Sequence, residues 1–108
     1  MFEVYHLHFR GAVVDLLAFR DEDFNAEILR TAQPVRELGD VRFIVPELLL
    51  VTHLLRPGTH AALAAVELIV SRRALGPFDV ATAERWARKL GREPALRRAL
   101  DLADRLGE

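Results

Sequence analysis

The chain begins with the period of a β-strand. Over residues 2–9 the side chains alternate, with Phe2, Val4, His6 and His8 on one side and Glu3, Tyr5, Leu7 and Phe9 on the other. Arg10-Gly11 reads as a tight turn. Residues 12–19 are apolar except for Asp15, the pattern of a central strand covered on both faces. The connection is too short for a crossover, so the two segments are expected to pair as an antiparallel hairpin. Polar residues follow, and Asp21 or Asp23 can cap a helix by accepting from its free backbone N–H groups. Phe24, Ile28 and Leu29 have helical spacing, and the helix should stop near Ala32, ahead of Pro34. Residues 35–38 and 41–45 flank Gly39-Asp40, which predicts a second hairpin.

From Pro46 onward the pattern turns helical. Proline suits the first turn, where its missing N–H is no loss, and Glu47 suits the positive end of the helix dipole. Residues 48–55 are almost wholly apolar, which predicts a buried helix meeting the sheet, with Leu49, Leu50, Leu54 and Leu55 in the core. Arg56-Pro57-Gly58 ends it, and Thr59 can cap the next helix. Residues 61–70 are rich in alanine, which lets helices approach closely. Gly76-Pro77 breaks the chain again. Asp79 is a candidate N-cap for a helix over 80–90, with Gly91 just past its end. Residues 93–106 make a last helix, with Leu96, Leu100, Ala103 and Leu106 on one face. Strands followed by a run of helices predict an α+β fold: two β-hairpins forming a small mixed sheet with helices packed on it, one domain over residues 1–108.

Composition narrows the functional classes. The chain is 51% hydrophobic and 29% charged with a net charge of −1, so a core can form and disorder is not expected. The near-neutral charge removes the electrostatic case for nucleic acid as a partner. Arg72-Arg73 and Arg97-Arg98 read as solvated helix surface. The absence of cysteine excludes disulfides and thiolate zinc sites. Glu3, His6, His8 and Arg10 interrupt any signal-peptide pattern. No window reaches about 18 uninterrupted apolar residues, so no membrane span is expected and cytoplasm is the expected location. Lys89 is the only lysine, an arginine bias in keeping with a GC-rich genome.

Three groups could carry chemistry. Asp15 is a carboxylate in an otherwise apolar strand, and burying such a charge without a partner is costly. It therefore faces a site, a cation or a ligand, or else a salt bridge or water at a strand edge. His6 and His8, two apart on a strand, share a face in metal-ligand geometry, and Asp15 could join them if the register allows. The alternative is a half-exposed strand face. His53 reads as a hydrogen-bonded core or interface histidine and His60 as exposed. Ser71 is the only serine and matches no nucleophile motif. The glycines stand singly, so phosphate-loop and dinucleotide fingerprints are absent. Trp86 reads as a core or interface anchor.

Three stretches resemble the later part of small nucleotidyltransferase-fold proteins, a bacterial group related to abortive-infection and toxin–antitoxin nucleotidyltransferases. Val13-Val14-Asp15-Leu16-Leu17 is similar to the strand bearing that family's third metal-binding carboxylate. The run from Val41-Arg42-Phe43-Ile44-Val45 into Pro46-Glu47-Leu48-Leu49-Leu50 resembles its later strand and the helix that follows. Ala83-Glu84-Arg85-Trp86-Ala87-Arg88-Lys89-Leu90-Gly91 resembles its arginine-tryptophan helix. In the family, a Gly-Ser turn holds nucleotide phosphates, and three carboxylates hold two magnesium ions. The residues before Asp15 contain no Gly-Ser and no carboxylate pair. His53, Ala62 and Ala65 stand where relatives often carry a lysine and two aspartates. The resemblance thus implies a truncated, catalytically degenerate domain acting through protein association. The strand over 2–9 would be an open edge covered by a homodimer or a partner chain. Two alternatives remain: a nucleotidyltransferase completed by another chain, binding magnesium–ATP, or a small metal-dependent enzyme holding zinc on His6, His8 and Asp15.

Overall fold

The computed structural model describes residues 2–19, 21–35, 37, 39 and 41–107, and over residues 2–7, 9 and 13–19 the description is of the backbone. Strands β1 (Phe2–Phe9) and β2 (Ala12–Phe19) pair antiparallel, from Phe2 opposite Phe19 to Phe9 opposite Ala12. The loop between them is Arg10-Gly11, both with positive φ (49° and 79°). That is the conformation whose twist matches the flanking strands, and glycine at its second position makes it accessible. Sequence predicts β2 as a central strand, yet among the described residues it pairs with β1 alone. Beyond its partner strand, the backbone of β2 comes near α1 (Glu22–Thr31), the element that follows it in the chain.

Asp21 caps α1: its Oδ1 accepts the Phe24 N–H at 2.8 Å. Asp23, the alternative cap, lies in the first turn instead and pairs with Lys89 at 3.0 Å. The helix ends at Ala32 as expected. The second hairpin is present but shifted and short. It consists of β3 (Gln33–Pro34) and β4 (Arg42–Phe43), extended by the Val35 N–H donating to the Val41 carbonyl at 3.3 Å. The strand expected over 35–38 and the turn at Asp40 fall partly on residues 36, 38 and 40, outside the described residues. The two hairpins form separate two-stranded antiparallel sheets, not one mixed sheet. Strands of two residues offer little ladder to a neighbour, and Pro34 brings no N–H.

The helical part follows the sequence closely: α2 (Pro46–Leu55), α3 (Thr59–Leu75), α4 (Val80–Lys89) and α5 (Glu93–Leu106). The α+β class is correct, but among the residues whose side chains are described the core is helix on helix. Helix α2 packs against α3, α4 and α5, and α3 packs against α5. Leu48, Leu50, Val51, Ile69 and Leu96 are fully buried there. Ala65, Ala83, Ala87, Ala99 and Ala103 are buried between them, and their small side chains allow close approach. Leu50 and Leu54 are buried as expected, whereas Leu49 and Leu55 are only half-buried. On α5, Leu96 and Ala103 are buried, Leu100 is half-buried and Leu106 is 70% exposed, because the last turn passes beyond its neighbours.

Helix ends follow local chemistry. Gly58, with φ 99°, is the N-cap of α3, and Thr59 sits inside the first turn without capping. Asp79 caps α4 by accepting the Thr82 N–H at 3.3 Å and its hydroxyl at 2.6 Å. Past the end of α4, Gly91 (φ 74°) donates its N–H to the Arg88 carbonyl and Arg92 donates to that of Ala87. This is the paired Schellman arrangement that glycine makes accessible. Helices α1 and α4 are joined by the rings of Phe24 and Trp86, 5.3 Å apart. Lys89 Nζ lies 4.8 Å from the centre of the Trp86 ring. Among the described residues no helix is long and apolar enough to cross a membrane.

Candidate functional site

Two places carry chemistry. The first is the ribbon. Its register sets His6 opposite Asp15 and His8 opposite Val13. Directly opposed residues share a face, with Cβ atoms about 4.5–5.5 Å apart, so positions 6, 8 and 15 fall together by backbone alone. The register thus meets the condition that a shared His6, His8 and Asp15 site requires. His8 is exposed, while the side chains of His6 and Asp15 lie outside the described residues. Among the described residues no group of three or more His, Cys, Asp or Glu side chains is placed to hold a metal ion.

The second place is a cleft of about 380 Å³ between the end of α2, the start of α3 and one face of α5. Leu54, Val66, Ala99 and Leu102 supply apolar walls, and His53, Arg56, Arg92 and Arg98 supply the polar groups. The chain breaks put them there. Arg56 is the last cap of α2, where Pro57 forbids continuation. Arg92 is the N-cap of α5, delivered by the turn at Gly91. Arg98 follows at helical spacing with Ala95, Ala99 and Leu102 on the same face of α5. Among the described residues no carboxylate lines the cleft. Elsewhere Arg30 pairs with Glu27, Arg73 with Asp104, and Arg88 and Arg97 both with Glu93. Arg56, Arg92 and Arg98 have no such partner among the described residues.

His53 lies half-buried at the back of this basic group. Burial, and then the charge of Arg56, hold its imidazole below the ordinary histidine range. Its Nδ1 is buried and has no hydrogen-bond partner among the described residues, so the expected hydrogen-bonded histidine is not found at that atom. His60 is exposed as expected, and Ser71 is exposed on α3. Ala62 lines the cleft, whereas Ala65 is fully buried in the core, where an aspartate would be costly. Trp86 is a core anchor, 7% exposed. The convergence of Arg56, Arg92 and Arg98 is not visible in sequence, because they come from separate chain breaks and helices. The available signal is that Arg56 and Arg92 each adjoin a glycine- or proline-marked helix break. Compared with protein-family models, curated proteins and solved structures, the chain matches none.

Proposed function

We propose that the chain is a catalytically degenerate nucleotidyltransferase-like domain that acts through protein association, with the β1–β2 ribbon as its docking element. The observation that carries association is the ribbon itself. Two eight-residue strands pair with each other and, among the described residues, with no third strand. Isolated two-stranded hairpins are marginal in water, and open edges of this length are templates for another chain. A second copy of the chain is the proposed occupant, since two-fold dimers are the commonest closed assembly. Degeneracy rests on the family positions after Asp15, where Ala62 and Ala65 stand in place of aspartates. Two-metal chemistry needs both ions held.

Light scattering on a size-exclusion peak tests association. The expected mass is that of two chains, falling to one in Val4→Lys or Leu7→Lys, which probe the two faces of β1. A single-chain mass at micromolar concentration overturns the dimer. Incubation with labelled nucleoside triphosphates and magnesium should give no transfer, and labelling abolished by Asp15→Asn overturns the degeneracy. The pairing of His6 with Asp15 favours one second reading, a zinc site on the ribbon. Zinc titration of the wild type and of His6→Ala decides it.

A further inference from the structure

We propose that the cleft between α2, α3 and α5 binds a small organic phosphate, its phosphate group held by Arg56, Arg92 and Arg98 and its apolar body lying against Leu54, Val66 and Leu102. The inference is independent of the ribbon. A chain of net charge −1 lines one concavity with three arginines, none of which has an ion-pair partner among the described residues. An anion entering a cleft lined by cationic side chains is attracted by each of them. Guanidinium forks match phosphate oxygens two at a time, in a planar geometry that lysine cannot reproduce. A phosphate monoester presents three free oxygens and close to two negative charges, enough for three forks, where a carboxylate presents two oxygens and one charge.

The surroundings agree with this assignment. Gly58 and Arg92, the N-caps of α3 and α5, make no side-chain cap hydrogen bond. The first turn of α3 carries no acidic residue, so its positive dipole end is open to an anion, whereas Glu93 occupies the first turn of α5; Gly58 and Arg92 themselves line the cleft. The unpartnered Nδ1 of His53 is a further polar atom beside the basic group. A volume of about 380 Å³ lies within the range of about 300–1,000 Å³ typical of small-molecule sites. Leu102 is 46% exposed, so an apolar wall stands open to an incoming molecule. Among the described residues no carboxylate lines the cleft, and the role proposed for it is binding.

The test is titration of the full chain at low salt with phenyl phosphate, inorganic phosphate and benzoate, followed by calorimetry and amide chemical shifts. Phenyl phosphate should bind saturably, with shifts concentrated over residues 53–66 and 91–102, and more tightly than either other probe. Loss of one charge-assisted contact should weaken it about tenfold in Arg98→Gln and in Arg56→Gln. Arg97→Gln, next in sequence but paired with Glu93, should bind as the wild type does. Arg98 is exposed, so its variant should fold even if Arg56→Gln does not. No saturation by about 10 mM phenyl phosphate overturns the proposal. So does an equal loss in Arg97→Gln, or benzoate binding as tightly as phenyl phosphate.

Discussion

Leu50 is fully buried on α2 while Leu49 beside it is half-buried, although both belong to one apolar run. Leu50→Ala should therefore cost about 2–5 kcal/mol in urea unfolding, and Leu49→Ala clearly less. Equal losses would mean that both side chains are covered. His53 gives a pH signature. Its imidazole is held low in the folded protein by burial and by Arg56, and it returns to about 6.5 in the unfolded chain. Between those two values the unfolded chain binds the additional proton. Stability should therefore fall as pH drops through about 6.5, the loss being complete below the folded value. His53→Gln should flatten the urea midpoint between about pH 7 and 5; an unchanged slope would assign the loss to other groups. Asp79 and Glu93 act in the opposite sense, held low chiefly by hydrogen bonds from Thr82 and from Arg88. Their contribution is present above the unfolded carboxylate values and is lost at more acid pH as the folded ones are crossed, outside the histidine window. Caps such as Asp21 and Asp79 were legible in sequence because their partners lie three residues away. The different burial of Leu49 and Leu50 was not, because a continuous apolar run does not say which sides have neighbours.

Helix α4 shows both kinds of terminus in ten residues. Asp79→Ala should lower the melting temperature by removing the cap. Gly91 holds φ 74°, and a Cβ there would meet open space, so the cost of Gly91→Ala is conformational, about 1–2 kcal/mol. Thermal melts of the two variants check both expectations, and a melt as in the wild type for Gly91→Ala would mean that the chain leaves α4 in another conformation. Element order was readable because glycine, proline and aspartate punctuate it. The second hairpin was harder. Its paired residues include Pro34, a residue that reads in sequence as a helix stop, and the expected strand over 35–38 falls partly outside the described residues. Thr59 was a plausible cap by residue type, but the break at Pro57 placed Gly58 at that position instead.

At the scale of the molecule, strands and helices divide into a ribbon and a helical body. The radius of gyration is 14.4 Å, above the about 13 Å of a compact chain of this length. The α+β class was legible from the order of segments, but the seat of the core was not. The apolar run of β2 predicts cover on both faces, a reading that falls on side chains outside the described ones, and among the described residues helix–helix contacts supply the buried core. Because a lone two-stranded ribbon is marginal in water, amides of β1 and β2 should exchange with deuterium faster than those of α2 and α5 in a single chain. Dimer formation should slow them, and exchange independent of protein concentration would remove the ribbon from the interface. The aromatic residues are divided the same way. The chain has one tryptophan and one tyrosine: Trp86 is buried against Phe24 among the helices, and Tyr5 belongs to β1. Selectively excited indole fluorescence therefore watches the helical body, and the tyrosine band of near-ultraviolet dichroism carries the ribbon. If ribbon and body part company on warming, one unlabelled sample displays the two transitions in separate colours.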